Sequence, residues 1–305
     1  MKSLYLVSIL ICAGCLRLIA QTDITTLGPS HQPSVCSLFG AHPIPADHID
    51  DLALLNTYNL QANNIRSLHV EALMRARAGK EYRVGEQQRE MPVLIDLLRP
   101  DLLRVIGVVP AMSSRGFEMA SDGREFRLLI PEEGRRQFFI GPADAPPQSQ
   151  NPRENLRPEP IVDALLWREG LLSKSSASRV EKSEDRTLMI ELARTRAGEQ
   201  TAVVNFDLPH GVVKSVTVYD AAGTMVSQAK YSDWAPSDSS PEESVAGGCF
   251  PRQIEFLEPA QNYEIDLRVL RVEFKSSLPK SSFHPLPPRG VPIVPLLRPP
   301  PKQDP

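Results

Sequence analysis

The chain has 305 residues and a formal net charge of −3 at pH 7, and its isoelectric point is about 6.1. It therefore lacks the positive field that neutralises phosphates, which excludes the nucleic-acid-binding class. Four cysteines are present, and two of them lie within the first 15 residues.

Residues 1–20 have the organisation of a secretory signal. Lys2 supplies a positive charge, residues 4–11 form a short apolar run, and small residues follow. The run is far shorter than the ~20 apolar residues that cross a bilayer, so it indicates a signal peptide and not a membrane span. The chain is thus predicted to leave the cytoplasm for the cell envelope.

The end of this signal indicates how the chain is processed. Residues 13–15 resemble the end of a bacterial lipobox, in which the cysteine, here Cys15, is acylated and becomes the N-terminus. Cys12 stands where that motif usually has an aliphatic residue. The alternative is cleavage after Ala20, which leaves a soluble protein but places Leu18 where small side chains are preferred. We favour a lipid anchor on Cys15, which holds the chain on a membrane.

A polar, turn-rich segment at residues 21–45 is predicted to be a flexible tether. After it, apolar residues at helical spacing predict a first helix from residue 47 to about residue 64. Cys36 lies in the tether, and Cys249 lies late in the chain. In an oxidising compartment the two either form a disulfide or remain separate thiols, and their spacing does not decide between these alternatives.

Beyond residue 64 the apolar pattern changes to the alternation of antiparallel strands. Hairpin turns such as residues 121–123 (SDG) separate the segments. The predicted strands are residues 68–77, 93–98, 102–109, 116–120, 125–130, 137–140, 188–192, 202–206, 212–219, 225–231, 253–257 and 263–274.

Two proline-rich stretches interrupt or end this pattern. Residues 143–157 break the run of strands, and the prolines at 158 and 160 begin a second predicted helix that reaches about residue 169. From 284 to 305 proline is dense enough to remove backbone donors and to hold an extended conformation. This tail is either a rigid strut or a peptide ligand for another protein of the envelope.

Together these elements predict a mainly β (α+β) domain at residues 46–283. A sheet with this many strands must curl, and helices are the natural cover for its concave face. The predicted fold is a curved antiparallel sheet, or unclosed β-barrel, with helices covering the concave face.

Patterns that would indicate catalysis are missing from the sequence. It has no Gly-x-Ser-x-Gly elbow, phosphate loop or His-Glu-x-x-His motif, and its histidines lack metal-ligand spacing. Asp122 has the chemistry of a catalytic acid, but a hairpin turn requires the same Asp-Gly pair. We expect no enzyme activity, no catalytic residue, no metal and no cofactor.

Since the sequence shows no catalytic pattern, the feature that indicates a function is its predicted apolar surface. Alternation points one set of side chains toward the concave face, leaves charged residues such as Glu118 in water, and places Trp167 over the opening. The predicted lining residues are Leu103, Val105, Phe117, Met119, Phe126, Leu128 and Phe138. This face is either a cavity for acyl chains, in which each buried methylene contributes about 0.8 kcal/mol, or a filled core. With a filled core, the chain would be an envelope scaffold that meets a partner through its tail.

Three segments carry a family resemblance. Residues 58–68 (YNLQANNIRSL), 98–104 (LRPDLLR) and 117–126 (FEMASDGREF) resemble a first helix, a strand–turn–strand and a central hairpin of LolA/LolB-like proteins. Those proteins are the lipoprotein carriers and receptors of the diderm envelope. The resemblance covers roughly residues 47–283. It implies an unclosed barrel with a helical lid and a cavity for lipid or lipoprotein acyl chains, in a protein that faces the periplasm, with the outer membrane as the favoured anchor.

Overall fold

The described part of the chain consists mainly of β-strands. The computed structural model describes residues 36, 65–78, 90–109, 114–132, 135–145, 157–166, 177–182, 187–195, 198–207, 210–238, 248–275 and 277–296. Its strands are β1 (Ser67–Ala78), β2 (Met91–Leu98), β3 (Leu102–Val109), β4 (Ser114–Asp122), β5 (Glu125–Glu132), β6 (Arg135–Pro142), β7 (Ala177–Lys182), β8 (Thr187–Thr195), β9 (Gly198–Asp207), β10 (Val212–Tyr219), β11 (Met225–Pro236), β12 (Cys249–Glu258), β13 (Tyr263–Phe274) and β14 (Ile293–Pro295). The same residues include the helix α1 (Pro158–Leu165) and short 3-10 helices at Pro259–Gln261 and Lys280–Phe283.

All of these strands belong to one 14-stranded sheet. Their order is β14-β6-β5-β4-β3-β2-β1-β13-β12-β11-β10-β9-β8-β7. Neighbouring strands are antiparallel, except that β14 and β6 run parallel. Because the order is linear, with β14 at one edge and β7 at the other, the sheet is not closed into a barrel. The predicted class, an unclosed antiparallel sheet, is confirmed, although β7 and β14 were not predicted.

One face of the sheet carries the hydrophobic core. Residues that lie opposite each other in an antiparallel pair point to the same face. Val105 on β3 lies opposite Ile95 on one side and Met119 on the other. Met119 in turn lies opposite Leu128. All four side chains of this row are buried. We call their side of the sheet the core face and the opposite side the outer face.

Helix α1 begins at a proline and packs on the core face. Pro158 occupies the first turn, where its missing N–H breaks no helical hydrogen bond. Arg157 before it is extended, with φ −125° and ψ 149°, as a residue before proline prefers. The apolar side of the helix is buried in the same core as the sheet. Its buried residues are Ile161, Val162, Ala164, Leu165 and Leu166.

The sheet curls toward α1. Arg157, at the start of the helix, lies over the ring of Phe126 on β5. The hydroxyl of Tyr231 on β11 donates a hydrogen bond of 2.9 Å to the carbonyl oxygen of Ala164. β5 and β11 are seven places apart in the strand order, which is roughly 30 Å in a flat sheet. Helix α1 has eight residues and is about 12 Å long, so both contacts require curvature.

The chain that follows β13 lies across the outer face of the β3–β6 region. Phe283 is 1% exposed there. Arg127 of β5 donates from Nη1 to the carbonyl oxygen of Pro285 at 3.0 Å. Further along, β14 pairs with β6 and extends the sheet by one strand. We call residues 279–296 the C-terminal strap.

The strap changes two sequence predictions. The predicted boundary between domain and tail, at residues 283 and 284, falls inside the structure, because proline is tolerated on an edge strand such as β14. The outer face beneath the strap is not open to water as predicted. Glu118 is only 4% exposed and pairs with Arg104, with 2.6 Å between Oε1 and Nη2. Residues 297–305 lie outside the described residues.

Cys36 and Cys249 form a disulfide bond. The two residues are 213 apart in sequence, and their Cα atoms are 6.0 Å apart. The bond joins a residue of the predicted tether to the first residue of β12. The rest of the tether and the predicted first helix lie outside the described residues.

Candidate functional site: the core face beneath helix α1

The core face contains most of the predicted cavity residues. Five of them are at most 2% exposed: Leu103, Val105, Met119, Phe126 and Leu128. Phe117 is partly buried and packs against the same core. The structure thus brings six predicted residues together on one face. Trp167 and Cys15 lie outside the described residues.

Phe138 lies on the outer face, so its predicted position was wrong by one residue. The register of β5 and β6 places Phe139 opposite Leu128 and Phe138 opposite Leu129. Phe139 therefore occupies the core-face position. Both phenylalanines are buried, and the N–H of Phe138 donates to the carbonyl oxygen of Pro292 in the strap at 3.0 Å. Because both faces are covered here, apolar character alone does not distinguish the two residues.

Helix α1 keeps the core face closed. Besides the Tyr231–Ala164 hydrogen bond, Arg157 donates from Nε to the carbonyl oxygen of Ala145 at 2.8 Å. The inner side of the helix is apolar, as is the face that it covers. In a helix of eight residues the last four carbonyl groups have no partner within the helix, and Tyr231 supplies one to Ala164.

A polar cluster interrupts this apolar face. Glu258 ends β12 and lies opposite Tyr263, the first residue of β13. Tyr263 is buried, and its ring centre is 5.8 Å from that of Phe256 on the core face. Arg157 is also buried, with its guanidinium carbon 5.5 Å from the centre of the Phe126 ring. We call Arg157, Glu258 and Tyr263 the inner polar cluster.

Burial dominates the electrostatics of the inner polar cluster. Burial raises the pKa of Glu258 more than the Tyr263 hydroxyl and the Arg157 guanidinium lower it. Burial also raises the pKa of Tyr263 well above its ordinary value. It lowers the pKa of Arg157, against the opposing effect of Glu258. These three groups therefore lie where water is scarce and where an unpaired polar atom is costly.

Sequence reasoning missed the inner polar cluster. Arg157 belongs to a proline-rich stretch and Glu258 precedes Pro259, so the two were interpreted as parts of a loop and a turn. Alternation could have identified Glu258, because it has the same parity in β12 as the inward residues Ile254 and Phe256. No comparable signal exists for Arg157, which only the folded chain brings to the core face.

A cleft of about 160 Å³ with several acidic residues in its lining lies at the N-terminal end of α1. Its lining residues are Asp101, Ser121, Gly123, Ala143, Asp144, Pro158, Glu159, Val162 and Asp163. Within the described ranges, no three or more His, Cys, Asp or Glu side chains are placed to hold a metal ion. The acidic lining makes the cleft unfavourable for a fatty-acid carboxylate.

Asp122, which has the chemistry of a catalytic acid, stabilises the β4–β5 turn. Its Oδ1 accepts hydrogen bonds from the N–H groups of Arg124 at 2.8 Å and Glu125 at 2.6 Å. Gly123 in that turn has a φ of 83°, which favours glycine. Among the helices that the structure describes, none has the length and apolar character needed to span a membrane.

Comparison with known proteins gives similar folds. No protein-family model and no curated protein matches the chain. A domain from Vibrio parahaemolyticus described as an outer membrane lipoprotein-sorting protein is 11% identical, with a TM-score of 0.48, and the match covers 79% of this chain and 97% of that one. A LolA superfamily protein from Nitrosomonas europaea is 14% identical, with a TM-score of 0.45, and the match covers 77% and 97%.

A third similar structure is a DUF1329 family protein from Desulfovibrio piger. It is 14% identical, with a TM-score of 0.46, and the match covers 75% of this chain and 94% of that one. At these identities the likeness concerns the arrangement of the strands alone, and it does not say what this chain binds.

Proposed function

We propose that the chain binds the acyl chains of lipids or lipoproteins on its core face, without catalysis. The observation that carries this proposal is the pairing of an apolar helix with an apolar face inside an unclosed sheet. Leu165 and Leu166 of the α1 region are each 2% exposed against that face. A linear alkyl chain offers the same kind of surface, with about 0.8 kcal/mol for each methylene that it buries. Ligand binding would then exchange one apolar contact for another.

A fluorescent fatty acyl probe tests this proposal. We expect saturable binding to the wild-type chain and displacement by unlabelled lipid. Leu128→Trp should weaken probe binding by roughly tenfold or more and leave the fold nearly intact, because it fills space that the acyl chain would occupy. In a filled core the same change would overpack and lower the free energy of unfolding by about 1–3 kcal/mol. Leu94→Trp is the matched control, since Leu94 lies on the outer face and is 36% exposed. It should bind the probe as the wild type does.

A filled core is the second candidate, and a specific observation favours it. The predicted cavity side chains on β3–β5 are closely covered, with Leu103, Phe126 and Leu128 each 0% exposed. In that case the chain is an envelope scaffold, and its proline-rich end is the surface for a partner. Wild-type protein that binds no probe, together with a strongly destabilised Leu128→Trp variant, would establish this candidate in place of the first.

For location, we propose a lipid anchor on Cys15 that holds the chain in the cell envelope, facing the periplasm, with the outer membrane favoured. Cys15→Ser should move the protein from the membrane fraction to the soluble fraction, because the variant loses the acyl acceptor of the lipobox-like motif. Immunoblots of the two fractions measure this shift, and Cys12→Ser is the control that keeps the acceptor. A soluble wild-type protein whose mature sequence starts at Gln21 would contradict the proposal.

A further inference from the structure

The C-terminal strap is held to the sheet at two prolines, and the chain between them forms a loop on the outer face. Arg127 donates to the carbonyl oxygen of Pro285 at 3.0 Å. The N–H of Phe138 donates to the carbonyl oxygen of Pro292, also at 3.0 Å. We call residues 286–291, which lie between these two hydrogen bonds, the strap loop. Because both of its ends are fixed, the strap loop has a defined position on the sheet.

The strap loop is restricted in conformation and faces open space. A β-turn closes it, in which the N–H of Val291 donates to the carbonyl oxygen of Pro288 at 3.1 Å. Gly290 in this turn has a φ of 79°, and a Cβ at Gly290 would have no neighbour within 4 Å. Pro287 and Pro288 restrict the backbone further. Binding to a surface would therefore cost the strap loop little conformational entropy.

The strap exposes two large apolar side chains on the outer side of the sheet. Leu286 is 82% exposed, although Pro285 beside it is buried against the outer face. Ile293 is 56% exposed, and the register of β14 places it opposite Phe138, which is on the outer face. Arg289 lies between the two in sequence and is exposed as well. Single exposed apolar residues are common, but a pair on an anchored projection is typical of a binding surface.

The strap and the residues after it have a charge opposite to that of the whole chain, whose formal net charge is −3. Residues 279–305 contain one acidic side chain, Asp304, and four basic ones, Lys280, Arg289, Arg298 and Lys302. A basic segment that also exposes apolar side chains has the two properties that bind proteins to an anionic lipid surface. The charge of the strap thus indicates a membrane as its partner.

The shape of the sheet also favours a membrane over a groove in another protein. The sheet curls toward α1, so the outer face is its convex side, and a flat surface would meet the strap loop first. A groove that recognises proline-rich peptides requires a free PxxP segment. The described strap has two such segments, and both are engaged with the sheet. Residues 285–288 (PLPP) begin with a buried proline, and residues 292–295 (PIVP) contain β14.

We propose that the strap binds the anionic surface of a phospholipid membrane. Leu286 and Ile293 enter the head-group region, and Arg289 binds lipid phosphates. This contact orients the outer face toward the membrane and leaves the core face turned away from it. The inference goes beyond the proposed function, because it requires neither acyl binding on the core face nor a lipid on Cys15.

Co-sedimentation with lipid vesicles tests the proposal. The full exported chain is used as its Cys15→Ser variant, here called the parent, so that no lipid anchor contributes. We expect the parent to bind vesicles of phosphatidylcholine and phosphatidylglycerol, and to bind vesicles of phosphatidylcholine alone several-fold more weakly. Added salt should weaken binding to the mixed vesicles, because it screens Arg289 from the lipid phosphates.

Matched variants of the parent assign the binding to the strap loop. Leu286→Ala should weaken binding to the mixed vesicles roughly tenfold, because most of an apolar side chain leaves the interface. Arg289→Gln should weaken it roughly fivefold and reduce its salt dependence. The controls are on β13, outside the strap: Leu270→Ala, at a residue that is 57% exposed, and Arg268→Gln, at a side chain that is 56% exposed. Both should bind the vesicles as the parent does.

A loss of vesicle binding in Leu286→Ala, with unchanged binding in Leu270→Ala, would support the proposal. No binding by the parent would overturn it, and so would equal binding by the parent and the two strap variants, which would leave Leu286 to a protein partner. An equal loss in Leu270→Ala would also overturn it, because any exposed apolar residue would then act alike. The fluorescent acyl probe should bind to Leu286→Ala as to the parent, so failure of acyl binding and failure of the strap proposal are distinguishable.

Discussion

Reduction of the Cys36–Cys249 disulfide is expected to lower the free energy of unfolding by roughly 2–5 kcal/mol. The bond connects residues 213 apart, and a cross-link over so long a loop restricts the unfolded chain strongly. It also holds residue 36 against β12, at the end of the strand where the rings of Phe250 and Phe274 meet with their centres 6.5 Å apart. Denaturant unfolding of the exported protein, with and without a reducing agent, measures the loss.

The control for this prediction is the double variant Cys36→Ser, Cys249→Ser. It should have the stability of the reduced wild type, and reducing agent should change it no further. Peptide mapping under non-reducing conditions should give one species that contains both cysteines. Two free thiols that react with an alkylating agent in protein isolated from the envelope would contradict the bond and remove the reason for the stability change.

The strands could be predicted because their signal is local. On β3 and β4 the inward residues that were predicted each have a charged neighbour in sequence, such as Arg104 beside Val105 and Glu118 beside Met119. Alternation of this kind identifies both the strand and the face that it buries, without knowledge of the rest of the chain. The class of the fold followed from the number of such segments and the hairpin turns between them.

Features that depend on distant parts of the chain could not be predicted. β14 has three residues and takes its hydrogen bonds from β6, while Pro295 within it and Pro292 before it argue against a strand. Gly141 on β6 shows how close this approach is: a Cβ there would lie 2.5 Å from the carbonyl oxygen of Leu296. Nothing beside Gly141 in the sequence indicates that the strap requires a glycine at that position. Phe138 is buried on the outer face beside the same strap, to which its N–H donates.

The strap should contribute strongly to stability, and Phe283→Ala is expected to lower the free energy of unfolding by about 3–5 kcal/mol. The side chain is 1% exposed, and its 3-10 helix contacts β3 and β4 on the outer face. Removing the ring leaves a cavity between the strap and the sheet, which the surrounding backbone cannot fully close. Urea unfolding measures the loss, and limited proteolysis within residues 284–296 should become faster as the strap detaches.

Leu286→Ala is the matched control, three residues further along the strap. Leu286 is 82% exposed, so its removal should change the free energy of unfolding by no more than about 0.5 kcal/mol. If Phe283→Ala costs no more than Leu286→Ala, the strap does not anchor on the outer face, and the buried state of Glu118 loses its explanation. A large difference between the two variants instead makes the proline-rich end an integral part of the sheet, because only a docked segment distinguishes two apolar side chains so close in sequence.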